Sequence, residues 1–77
     1  MVEREGVYFA PSAIDAAARR VAELLVKNPE GVTVAQVRDT LGTTRKHALP
    51  LLAVFDSTGV TRRRGDFRIG GPRLPAL

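Results

Sequence analysis

Residues 43–69 read TTRKHALPLLAVFDSTGVTRRRGDFRI, and how this stretch folds decides the rest. Thr43 or Thr44 is a suitable N-cap, and Ala48, Leu51, Leu52 and Phe55 follow at the i, i+3, i+4, i+7 spacing of one buried helix face. Pro50 interrupts this pattern near the sixth helical position, where it removes a backbone bond and bends the helix. The apolar run around it is nevertheless too long and too evenly wrapped for a strand, so the spacing predicts a helix closed by Gly59. Beyond it, VTRRR and FRI flank Gly65-Asp66, the pattern of a two-residue type II′ hairpin turn. Val60, Phe67 and Ile69 are expected to cover the edge of the core, with the alternating arginines pointing outward.

Upstream, Thr33 and Gln36 have capping-box spacing, Val34, Val37 and Leu41 form a short stripe, and Gly42 suits a left-handed helix end. Two helices joined across Leu-Gly-Thr-Thr read as a helix-turn-helix. Further back, Ile14, Ala17, Ala18, Val21 and Leu25 line one face of another helix, with Arg19, Arg20, Glu23 and Lys27 on the other side. Ser12 and Asp15 offer its capping box, and Asn28-Pro29-Glu30-Gly31 ends it. Val7–Phe9 is a candidate edge strand. The order is that of an α+β winged helix: a three-helix core with a C-terminal β-hairpin wing. One domain over residues 7–70 is expected, with flexible tails at 1–6 and 71–77.

Composition narrows the function. At 77 residues there is room for one core and little for a deep catalytic cavity. The absence of cysteine removes disulfides and thiolate metal sites. The longest apolar stretch, ALPLLAVF, has eight residues against the roughly 20 that span a bilayer, and MVEREG has no signal-peptide core. A cytoplasmic monomer without membrane association is the expectation. No phosphate loop, nucleophile elbow or zinc-ligand spacing is present, so neither an enzyme nor a cofactor is expected. Lone His47 lacks a metal-binding partner. Arg64-Gly65-Asp66 is explained by a tight turn, and Asp56-Ser57-Thr58-Gly59 by a helix end.

The charge is polarised. Residues 1–42 carry five Lys/Arg against six Asp/Glu, whereas residues 43–77 carry seven against two, and the whole chain is net +4. Such asymmetry points to an anionic partner, most often nucleic acid. Arg45 and Lys46 occupy a first helical turn, where the dipole and free N–H groups already make the end positive. That placement becomes favourable when a phosphate docks on those groups. Arg62, Arg63, Arg64 and Arg68 surround the hairpin turn. Strand alternation sends Arg62 and Arg64 to one side and Arg63 to the other, so not all address one ligand, and some pair with Asp56 or Asp66. His47, on the exposed or boundary side of the helix, is a further candidate contact.

The same string resembles the C-terminal winged helix domain of bacterial selenocysteine-specific translation elongation factors, whose typical run is LGTSRKYALPLLEYLD followed by GVTRR-x-GD-x-R. The resemblance covers about residues 31–69. Arg45-Lys46, Ala48 to Leu52, Asp56, Gly59 to Arg63, Gly65-Asp66 and Arg68 all fall in place. Thr44 replaces the usual serine and keeps its hydroxyl, His47 replaces tyrosine, and Ala53 replaces an acid. The resemblance implies a module that grips the selenocysteine insertion stem-loop in mRNA and tethers the factor for UGA recoding. The GTPase portion would lie in the rest of the elongation factor. It also implies RNA contacts at Thr44, Arg45, Lys46, Arg63, Gly65 and Arg68. Because the A-form major groove is too deep and narrow to read, such a module must clamp the backbone and find specificity in unpaired bases, for which arginine is well suited. Two alternatives compete. A DNA-binding winged helix would want base-reading side chains where the third helix has ALPLLAV. A protein-interaction module would show no salt-sensitive nucleic-acid binding.

Overall fold

Among the described residues, three helices and two hairpins follow one another along the chain. The computed structural model describes residues 2–4 and 6–76. The elements are β1 (Val2–Arg4), β2 (Val7–Phe9), α1 (Pro11–Lys27), α2 (Val34–Leu41), α3 (Arg45–Thr58), β3 (Thr61–Arg64) and β4 (Phe67–Gly70). This is the expected winged helix with an additional N-terminal hairpin.

The start of α1 differs from the expected Ser12 cap. The helix begins at Pro11 behind an extended Ala10, with no side-chain cap and no acid in its first turn. Proline at the first position presets φ and has no N–H to satisfy, so it starts the helix without a capping box and leaves Asp15 in the second turn. The helix buries Ala18, Val21, Ala22 and Leu25. It stops at Asn28, whose backbone and side-chain N–H groups both donate to Leu24 O at 3.0 Å.

The α2 capping box is complete. Gln36 N donates to Thr33 Oγ1 at 3.2 Å, and Thr33 N donates to Gln36 Oε1 at 2.8 Å. Gly42 ends the helix with φ 64°. From α1, Arg20 Nη2 donates to Thr40 O at 2.8 Å, a cation against the negative end of α2. In α3, Ala48, Leu51, Leu52 and Phe55 are buried as expected, together with Pro50 and Val54. Those last two lie away from the main stripe, and β1 packs against the same helix. The core joins α1, Val32, Val37 and α3, with Val21, Val32, Val37, Leu52 and Phe55 fully buried.

In the wing, Arg64 pairs with Phe67 across a two-residue turn in which Gly65 has φ 63°. The preceding register positions are Arg63↔Arg68, Arg62↔Ile69 and Thr61↔Gly70. Val32 adds a third strand edge: its N–H donates to Arg68 O at 2.9 Å, and Arg68 N donates to Val32 O at 2.7 Å. Val60 packs on the core and Ile69 is half-buried, but Phe67 does not cover the core edge and is 44% exposed.

Both expected tails carry structure within the described residues. Val2–Arg4 pairs antiparallel with Val7–Phe9. At the other end, Gly71 N donates to Val60 O at 2.9 Å, Arg73 N donates to Gly59 O at 2.8 Å, and Leu74 packs on the core. Gly71 permits this return because a Cβ there would collide with the Gly59 carbonyl.

Candidate nucleic-acid interface

The start of α3, the start of α2 and the wing enclose an open cleft. On α3, Arg45, Leu49 and Asp56 fall at i, i+4 and i+11, so they share the stripe that looks toward the wing. Arg45 and Leu49 line the cleft mouth; Arg63, Asp66 and Arg68 face them from the hairpin, and Thr33, Val34 and Ala35 close the third side. Strand alternation selects which wing arginines take part. Arg63 and Arg68 are cross-strand partners on the face that carries buried Thr61, so both point toward α3.

Arg68 is fixed in place. Its Nε donates to Asp56 Oδ2 at 3.3 Å, and the side chain is only 12% exposed. The other Asp56 oxygen accepts from Thr61 Oγ1 at 2.6 Å. This pairing, one of those allowed by the sequence, orients Arg68 beneath the cleft and neutralises part of its charge. Arg63 is freer: it is exposed, and its Nε donates to Gly65 O at 3.2 Å. Gly65 thereby holds Arg63 through its carbonyl while its positive φ makes the turn.

Thr44 is the N-cap of α3, but its side chain accepts no bond from the helix amides. The hydroxyl instead shares a 2.9 Å hydrogen bond with His47 Nδ1. The first-turn N–H groups are therefore left without a side-chain acceptor, beside Arg45 and Lys46, and such an end attracts anions. Lys46 is exposed on the outer side of the helix. His47 points elsewhere, lining a second, largely apolar cleft with Phe9, Ala17, Arg20 and Leu51. Arg62 and Arg64 project from the opposite face of the hairpin. Of the nine candidate residues, the structure thus brings Arg45, Arg63 and Arg68 together, with Gly65 at the turn and Thr44 and Lys46 at the helix start. His47, Arg62 and Arg64 lie outside the cleft.

The cleft also takes in Leu49 and the start of α2, neither of which is among the contact residues expected from the sequence. Leu49 had a usable signal, since it stands four residues after Arg45 on the same helix face and is 38% exposed in an otherwise buried run. The α2 start had none, because only the tertiary fold carries it to the wing.

A family model described as "Elongation factor SelB, winged helix" matches residues 23–69, well over half the chain. This chain belongs to the SelB winged helix family. The matched span contains all three helix-turn-helix and wing segments that build the cleft. This SelB winged helix is also similar to the solved structure of the mRNA-binding domain of elongation factor SelB from E. coli in complex with SECIS RNA. The two share 31% identity and superpose with a TM-score of 0.75, covering 87% of this chain and 55% of that one. The chain therefore spans about half the length of that structure. No curated protein matches it. No helix among the described residues is long and apolar enough to cross a membrane.

Proposed function

We propose that this chain is the RNA-binding module of a selenocysteine-specific elongation factor, recognising the selenocysteine insertion stem-loop of an mRNA. It would act as a monomer in the cytoplasm, tethering the rest of the factor near the UGA to be recoded. Chemistry such as GTP hydrolysis would belong to a separate portion of that factor. The observation that carries this reading is the convergence of Arg45, Arg63 and Arg68 on one cleft beside a helix start without a side-chain cap. The 31% identical SelB domain of E. coli, solved with SECIS RNA, supports the same partner.

The geometry favours a backbone clamp over insertion into a DNA groove. In α3, Ala48, Pro50, Leu51, Leu52 and Val54 are turned inward, so the helix middle has no polar side chain to read base edges. The clamp requires only cations on two walls, and α3 and the wing supply them.

Titration of a labelled SECIS stem-loop and of a DNA duplex of equal length across several salt concentrations tests this. The stem-loop is expected to bind more tightly, with log affinity falling linearly with log salt by about 0.7–0.9 per phosphate contact. Arg45→Ala is expected to weaken stem-loop binding roughly tenfold or more, as for loss of a charge-assisted bond. Arg19→Ala on α1 is expected to leave it unchanged. Equal affinity for RNA and DNA, or an unaffected Arg45→Ala protein, would sink the proposal.

A further inference from the structure

The wing has a second face that the cleft does not use. Cross-strand pairing places Arg64 opposite Phe67 and Arg62 opposite Ile69, so these four side chains share the surface turned away from α3. Phe67 is 44% exposed there. Its Cβ lies against Gly31, where an added Cβ would approach to 3.0 Å, so the side chain is seated at its root while part of it stays exposed. Arg62 and Arg64 are exposed, and neither takes part in a hydrogen bond or ion pair among the described residues. The cleft face differs: there Asp56 binds Arg68, and Asp66 stands among the arginines. Two wing cations without an ion-pair partner among the described residues therefore flank an exposed aromatic residue on the reverse side.

We propose that this reverse face binds single-stranded RNA, with one unpaired base stacked on Phe67 and the adjoining phosphates held by Arg62 and Arg64. An exposed ring between unpaired arginines on a strand surface is a stacking platform with an electrostatic track beside it, and it accepts any base because every base has a π-face. A hairpin within a longer RNA is continued by further chain at both ends, and wherever that chain is unpaired it offers such a strand. With the stem in the cleft, the wing would stand between the stem and one of these flanks. This inference rests on the RNA-binding reading and adds a second, sequence-tolerant contact to it.

The test compares two RNA probes, a SECIS stem-loop with blunt ends and the same stem-loop carrying a six-nucleotide single-stranded extension, tried at either end. For the wild-type protein, one extension is expected to tighten binding roughly tenfold, the scale of one base–aromatic stack. Phe67→Ala and the double variant Arg62→Ala/Arg64→Ala should each lose that gain while binding the blunt stem-loop as before. Phe67→Trp should retain it. Tyr8→Ala, which removes an exposed aromatic of the N-terminal hairpin, should also retain it. Thermal melting of each variant shows whether the wing is still folded, and Phe67→Trp gives the same readout with the ring preserved. An extension that adds nothing to wild-type binding, or a gain that survives Phe67→Ala, overturns the inference and leaves stem-loop recognition standing. A wild-type protein that binds neither RNA overturns both.

Discussion

Asp56 shows how a single residue positions a cation of the cleft without lining the cleft itself. Its carboxylate receives Thr61 Oγ1 at 2.6 Å and Arg68 Nε at 3.3 Å, in surroundings that leave the Arg68 side chain 12% exposed. Removing it leaves a largely buried guanidinium without its anion and a buried hydroxyl without its acceptor. Asp56→Ala is therefore expected to cost about 2 kcal/mol, or roughly 10 °C in melting temperature for a domain of this size. The Arg38–Asp39 pair is the natural comparison, with side chains 40% and 72% exposed. There, Asp39→Ala should stay within about 0.5 kcal/mol of wild type, because solvent screens an exposed pair. Equal effects of the two substitutions in urea titrations would show that Asp56 does not anchor the wing. The possibility of an Asp56 partnership was legible in the sequence, since acids are scarce in the basic half. Which arginine it takes was not, because that choice depends on the strand register.

Among the elements, those with strong local chemistry were readable and those made by pairing were not. The Thr33/Gln36 box, the Gly42 and Gly59 helix ends, the α3 stripe and the Gly65-Asp66 turn each follow from residues within a few positions of one another. By contrast, β1 has three exposed residues with no apolar alternation, so nothing in Val2–Arg4 announced a strand. The contact between Val32 and Arg68 spans α2, α3 and the turn, and no local pattern encodes it. Gly31 makes that contact possible. With φ 129°, it lies where an added Cβ would meet Phe67 Cβ at 3.0 Å and Arg68 O at 3.1 Å. Gly31→Ala is thus expected to cost about 2–4 kcal/mol through backbone strain and crowding. It should also speed hydrogen exchange at the Arg68 amide, and unchanged protection there would contradict the bridging role given to this segment.

The whole molecule divides its labour by end. The winged helix order, the helix-turn-helix and the charge split were all visible before the structure, and three of the candidate cations do meet. The sequence misplaced the chain's last segment. Its glycines and prolines looked like a tail, but Gly71 lies so close to the Gly59 carbonyl that the segment folds back along Gly59 and Val60. Gly71→Ala is expected to force this return apart at a cost of about 1–3 kcal/mol, read as a lower urea midpoint and faster exchange of the Arg73 amide. A variant as stable as wild type would mean that the segment contributes nothing. Its course has a practical consequence as well. The 14 residues of α3 separate Arg45 from Gly59 by about 20 Å along the helix axis, and the polypeptide beyond Leu74 leaves from the Gly59 end. A linker to a biosensor chip or a fluorophore attached there would emerge one helix length from the α3 start, leaving its uncapped N–H groups and Arg45 open to polynucleotides.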